Sequence, residues 1–232
     1  MRPASLSIVL SAFTLAACSN EVEEQPSTEQ TSEDVAPQDI IVQGDERRIL
    51  AFGDSLFAGY NLAEHQGYPE RLERALRKEG VNARVIDAGV SGDTSAAGRQ
   101  RLAFVLDQQG EKPDLVMLEL GGNDMLRGID PADTRANFEA MLEELQSRDI
   151  PVLLMGMRAP PNYGPDYQQR FDAIYGELAA DYDAELVPFW LESIYEEPSL
   201  FQSDRIHPTE KGVDILVADT VDDVKTALPV EN

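Results

Sequence analysis

Ser55 stands in Gly53-Asp54-Ser55-Leu56, directly after the apolar run 49–52, and His207 stands far along the chain in Asp204-Arg205-Ile206-His207-Pro208. A serine hydroxyl is a weak nucleophile until a base takes its proton, and the base needs a third group to fix its tautomer. Asp204 lies three residues before His207, and in a turn that spacing can bring its carboxylate to one ring nitrogen while the other faces outward. Pro208 biases the backbone of His207 toward extended geometry. Each motif has a plainer reading. Gly-Asp-Ser after a strand also makes a helix N-cap, and Asp-x-x-His-Pro also makes a capped turn before a helix. The chain's other histidine, His65, lies in a polar stretch and reads as an exposed loop residue.

Acyl transfer also requires donors for the oxygen that becomes negative in the transition state. Gly92, in Ser91-Gly92-Asp93-Thr94, can present a backbone N–H with no side chain in the way. Asn123, in Gly121-Gly122-Asn123-Asp124, can offer a side-chain amide. The alternative for Asn123 is a left-handed turn residue, common for Asn after glycines.

These loops need strands to carry them. Apolar runs and helix-like runs alternate from Arg48 onward: strands at 49–52, 83–87, 115–120, 151–157 and near 185–187, and helices at 68–78, 95–106, 133–147, 166–182 and 210–227, with Asp133 as the N-cap of the third helix. Unbroken apolar runs suit strands covered on both faces. Five strand-helix units without an internal repeat predict one α/β domain, a three-layer sandwich with a mostly parallel five-stranded sheet between helices. Right-handed crossovers then gather the strand-to-helix loops on one rim, where ligands meet open α/β sheets.

With those four blocks in order, the chain resembles the SGNH hydrolase (GDSL esterase/lipase) superfamily, and in particular its bacterial periplasmic thioesterase/lysophospholipase/arylesterase branch. The resemblance spans about Ile49 to Leu228 and includes Asn162-Tyr163-Gly164 and Leu186-Val187-Pro188-Phe189. It implies a flavodoxin-like fold, Ser55 as nucleophile, His207 as general base and acid, and Asp204 as the carboxylate that orients it. It further implies an oxyanion hole made by the N–H of Ser55, the N–H of Gly92 and the side chain of Asn123. The implied reaction is hydrolysis of carboxylic esters or thioesters through an acyl-enzyme, with no cofactor and no metal. Asp54 and Leu56 beside the serine, and Asn162 and Tyr163 in the Pro-rich loop 158–165, are candidate substrate contacts. That loop reads either as a movable flank for an acyl chain or as a rigid proline connector.

The chain carries a second address. Residues 4–17 are small and apolar, too short for a comfortable membrane span, and read as a secretory signal. Leu15-Ala16-Ala17-Cys18 resembles a bacterial lipobox, which implies removal of residues 1–17, a lipidated Cys18 and a membrane anchor; a plain signal peptide containing a cysteine is the alternative. Cys18 is the only cysteine, so no disulfide can form within one chain. Ser19 after it favours, by analogy with lipoprotein sorting, the periplasmic face of the outer membrane. Residues 18–46 hold nine acids, no base and many Ser, Thr, Gln and Pro, which suits a tether rather than a packed core. The remainder, 47–232, is enough for one domain with a full core. The net charge of −24 repels nucleic acid, and no basic stripe offsets it. No heptad or long apolar tail points beyond a monomer.

Two other classes fit part of this pattern. Asp54, Asp87, Asp93, Asp124, Asp204 and His207 could form a hard-metal phosphoesterase site. A surface lipoprotein that binds lipid without turning it over is a third reading. An α/β-hydrolase elbow is disfavoured, because the chain has no Gly-x-Ser-x-Gly.

Overall fold

The computed structural model describes residues 40–230. The predicted leader, Cys18 and most of the acidic tether lie outside the described residues. Residues 40–46 run along the domain: the carbonyl of Ile40 accepts from Arg77 Nη1 at 3.2 Å, and that of Gly44 accepts from Asn82 Nδ2 at 2.9 Å.

Five strands form the sheet: β1 (Arg47–Gly53), β2 (Ala83–Gly89), β3 (Leu115–Leu118), β4 (Val152–Met155) and β5 (Glu185–Val187). Their order is β2-β1-β3-β4-β5 and every neighbouring pair is parallel. The sheet is therefore wholly rather than mostly parallel. The central strands β3 and β4 are buried along their whole length, as the unbroken apolar runs require. Strand order reverses between β1 and β3, so the crevice beyond their carboxyl ends is where an open sheet of this type admits a ligand.

Helices cover both faces: α1 (Tyr68–Lys78), α2 (Ser95–Gln108), α3 (Gly122–Leu126), α4 (Pro131–Ser147), α5 (Pro165–Tyr182), α6 (Glu192–Tyr195) and α7 (Glu210–Ala227). The bounds of α1 and α7 are those predicted. Helix α4 starts two residues before Asp133, because Asp130 is the true N-cap. Its side chain accepts from Ala132 N at 2.9 Å, and Pro131 supplies a first-turn residue whose missing N–H costs nothing there. Helices α3 and α6 were not anticipated, being too short to show a period.

The core holds the nucleophile loop from below. Phe57, two residues beyond Ser55, is fully buried; its ring stacks on Tyr68 at 5.4 Å and meets Trp190 edge-on at 5.1 Å. The Tyr68 hydroxyl shares a hydrogen bond of 2.6 Å with Thr220 of α7. Three large aromatics from three parts of the chain thus fix the turn that carries the serine. Truncating one such ring typically costs about 3–5 kcal/mol.

Candidate active site

Ser55 sits in the turn that leaves β1, partly exposed, with Ala58 N donating to Asp54 O at 3.0 Å and Tyr60 N donating to Ser55 O at 3.1 Å. Its Oγ lies 2.9 Å from His207 Nε2. On the far side of the ring, Nδ1 lies 2.8 Å from Asp204 Oδ2. Residues 152 positions apart are therefore in direct contact.

The turn that presents the imidazole is built locally. Asp204 Oδ1 accepts from the N–H groups of Ile206 at 2.9 Å and His207 at 3.1 Å, and Arg205 between them takes a positive φ of 59°. Behind the turn, Gln202 N donates to His207 O at 2.8 Å and Phe201 bridges to Pro208. Thr209 then caps α7 by accepting from Gly212 N. Desolvation works to raise the Asp204 pKa, but the His207 ring and the two N–H donors outweigh it and hold the carboxyl down to about 2. An ionised, acceptor-only Asp204 assigns the proton to Nδ1 and leaves Nε2 free to accept from Ser55.

The two predicted donors lie on adjoining loops of the same cleft. Gly92 has φ of 86°, a conformation that favours glycine, and its carbonyl accepts from Arg127 Nη2 at 2.8 Å. Asn123 occupies the first turn of α3 and donates from Nδ2 to Asp54 Oδ2 at 2.8 Å. Asp124 next to it is fully buried. It accepts from Ser95 N at 2.7 Å, from Ser95 Oγ, and from Thr134 Oγ1 at 3.1 Å, joining the starts of α2 and α3 to α4. Arg101 makes a second tie: Nε binds Asp93 at 2.6 Å, Nη2 donates to Gly53 O at 2.8 Å, and the guanidinium lies 3.9 Å from the centre of the Phe52 ring. The serine loop and the Gly92 loop are thereby held in one register.

The cleft around these groups has a volume of about 830 Å³. Met125, Leu126, Met157, Phe189, Leu191, Tyr195, Phe201 and Ile206 give it a mostly apolar lining, and Leu126, Tyr195 and Ile206 are exposed on it. Arg158 and Arg205 also line it.

The four candidate substrate contacts fall in different places. Asp54 belongs to the cleft lining but is only 2% exposed, and its carboxylate accepts from Leu56 N at 3.0 Å and from Asn123 Nδ2 at 2.8 Å. Asn162 is exposed and does not line the cleft, because the loop turns it outward in a short 3-10 helix. Tyr163 also lies outside the lining and stacks on Tyr167 at 5.2 Å. Leu56 does reach the cleft floor. The loop 158–165 contributes Arg158 and Pro160, and it is pinned by Ala159 N to Asp172 at 2.7 Å and by Gln168 Nε2 to Ala159 O at 2.9 Å.

The acids of the metal reading do not converge. Asp87 accepts from Gly89 N, Asp93 binds Arg101 and Asp124 binds Ser95. Among the described residues no three His, Cys, Asp or Glu side chains form a group that could hold a cation. His65 is exposed, as expected.

A family model, the GDSL-like lipase/acylhydrolase family, matches residues 51–215. The chain belongs to that family. It is 44% identical over 160 residues to the esterase TesA of Pseudomonas aeruginosa, covering 69% of this chain and 79% of TesA. It is 39% identical over 161 residues to an arylesterase of Vibrio mimicus, covering 69% and 80% of the two chains. Among solved structures, AlinE4, described as an SGNH-hydrolase family esterase, shares 60% identity with a TM-score of 0.69, covering 81% of this chain and all of that one. The family resemblance and the flavodoxin-like order thus agree with what the four sequence blocks implied.

Sequence reasoning missed Tyr60, whose ring lies 4.3 Å from that of His207, and the buried Glu119 beneath Asp54. The signal for Glu119 was present: a charged residue interrupts the apolar run 115–120.

Proposed function

We propose that this protein is a serine hydrolase of carboxylic esters or thioesters, acting through an acyl-enzyme on Ser55. The observation that carries the reading is the linked pair of contacts, Ser55 Oγ to His207 Nε2 at 2.9 Å and His207 Nδ1 to Asp204 Oδ2 at 2.8 Å. Family membership and the names of the relatives, esterase and arylesterase, support it.

In the first half-reaction Ser55 Oγ bonds to the substrate carbonyl carbon while its proton passes to His207 Nε2. The carbonyl oxygen becomes negative and is held by the N–H of Ser55, the N–H of Gly92 and the amide of Asn123. The tetrahedral species collapses, the bond to the leaving oxygen or sulfur breaks, and His207 returns the proton to it. Water then loses a proton to the same nitrogen, bonds to the acyl carbon, and the acid departs as Ser55 is reprotonated. Asp204 stays ionised throughout and stabilises the imidazolium. The apolar cleft suits an acyl or aryl group, and lysophospholipids remain within the substrate class.

Ser55→Ala should lower hydrolysis of p-nitrophenyl esters by several orders of magnitude without changing the melting temperature. A serine-directed phosphonate should add one covalent group at Ser55 and stop turnover, and chelator should leave the rate unchanged. A related esterase, EstA of a Pseudoalteromonas species, 32% identical with a TM-score of 0.73 over 78% of this chain and 97% of its own, is described as inhibited by monoethylphosphonate. Chelator-sensitive turnover that survives Ser55→Ala would reverse the assignment in favour of metal chemistry.

The N-terminal motif extends this reading to place. The domain is anchored through a lipidated Cys18 at the periplasmic face of the outer membrane, spaced by the tether, and works as a monomer. An alkyne-palmitate label that enters the full chain and is lost in Cys18→Ala is the expected result. Among the described residues no helix is long and apolar enough to cross a membrane.

A further inference from the structure

Glu119 follows β3 and is completely buried. One of its oxygens, Oε2, accepts from Asp54 N at 3.2 Å; the other, Oε1, is buried with no hydrogen-bond partner among the described residues. It lies so close under the serine loop that a Cβ on Gly53 would fall 2.8 Å from Oε2, and equally close to the Glu119 carbonyl and the Phe57 ring. Glu119 thus meets Asp54 through Oε2 at the Asp54 backbone, and the charge of the Asp54 carboxyl bears on the buried acid. Nothing in the two-step reaction uses Glu119 directly.

We propose that Glu119 is a positioning residue of the oxyanion hole: held as a neutral acid beneath Gly53, it donates its proton to Asp54, so that Asp54 remains an acceptor and fixes the amide orientation of Asn123. The inference rests on the reading of Asn123 as an oxyanion donor.

The chemistry is a matter of which group keeps one proton. An ionised Glu119 would leave a bare, charged oxygen in the core, a cost of several kcal/mol. As an acid it has one O–H to give, and Asp54 is the acceptor at hand. Burial drives the Glu119 pKa well up and the Asp54 charge adds to it. Burial also leaves Asp54 raised, but less far than Glu119, because the Leu56 N–H, Glu119, Asn123 and His207 pull it partly back. Tyr175 of α5 is another titratable group near the pair, and its hydroxyl donates to Leu120 O at 2.8 Å. The pair therefore holds one proton, on Glu119.

The consequence reaches the cleft. A carboxylate only accepts, so Asp54 Oδ2 selects Asn123 Nδ2 and leaves the second N–H of that amide for the substrate oxygen. A protonated Asp54 could instead donate to Asn123 Oδ1, and the flipped amide would aim an acceptor at a developing anion. Keeping Glu119 neutral also leaves one negative charge below the hole rather than two.

The test compares Glu119→Gln, which keeps a donor toward Asp54 and an acceptor for Asp54 N–H, with Glu119→Leu, which keeps neither. Glu119→Gln should retain kcat within about threefold. Glu119→Leu should lose about tenfold or more in kcat with little change in KM, and adding Asn123→Ala to it should cost much less than Asn123→Ala costs the parent. Infrared difference spectra of wild type minus Glu119→Gln should show a protonated-carboxyl band at neutral pH. A Glu119→Gln protein that melts like wild type yet is as impaired as Glu119→Leu, full additivity with Asn123→Ala, or absence of the band would each overturn the proposal. The infrared arm needs no turnover, so it decides the matter even if Glu119→Leu does not fold. Failure of the hydrolase reading shows itself separately, as a wild type that neither turns over esters nor takes up phosphonate at Ser55.

Discussion

The Tyr60 ring lies against the imidazole of His207, with centroids 4.3 Å apart and planes inclined by 30°. Tyr60 comes from the loop that carries Ser55, and its carbonyl accepts from Gln202 Nε2 at 2.8 Å, so each partner of the serine-histidine contact is braced by the other's segment. An aromatic face also favours the imidazolium formed during the reaction, by about 0.5–2 kcal/mol. Tyr60→Phe should therefore leave kcat near the parent value, while Tyr60→Ala should lower it by about tenfold, the equivalent of ~1.4 kcal/mol. Equal losses in the two variants would assign the effect to the hydroxyl instead.

Asp204 makes a pH prediction with a definite sign. Its carboxyl is depressed from 3.8 to about 2 in the fold, so its contribution to stability is complete above the unfolded value and fades as pH falls toward the folded one. The melting-temperature advantage of wild type over Asp204→Asn should accordingly be present at neutral pH and vanish in that acid window. It should be small, because the group is exposed and solvent screens it. Turnover behaves differently. A protonated imidazole cannot act as base, and Asp204→Asn should cut kcat by several orders of magnitude at neutral pH by loss of the tautomer.

Asp124 ties three helices and touches no substrate. Replacing it with alanine strands the Ser95 N–H and two hydroxyls in the core, a loss of about 3 kcal/mol or more in urea denaturation. Because Ser95 begins α2 beyond Gly92 and Asp124 adjoins Asn123, kcat of the folded fraction should fall as well. A variant that denatures at the parent's urea midpoint would show that the buried contacts contribute little.

The exposed apolar rim predicts chain-length dependence. Leu126→Ser and Tyr195→Ser should raise KM for long-chain p-nitrophenyl esters and leave acetate esters nearly unaffected, each buried methylene being worth about 0.8 kcal/mol. A uniform change across the series would place the acyl chain elsewhere.

Much of this was legible in the amino acids alone. The runs around Leu115–Leu118 and Val152–Met155 announce strands buried on both faces, and the stops at Gly53, Gly92 and Gly121 mark where a parallel sheet turns its loops to one rim. Those are local properties of composition and period, which a linear reading can see. Asp130 capping α4 in place of Asp133 shows the limit of that reading, since either acid satisfies the pattern and Pro131 decides. What needed the tertiary structure was convergence: Tyr60 on His207, Arg101 across two loops, Glu119 beneath Asp54, and an apolar cleft assembled from α3, α6 and the turn after Leu200. Such contacts join residues far apart in the chain, and they follow from how the helices close over the sheet, a global packing outcome that no short window of sequence contains.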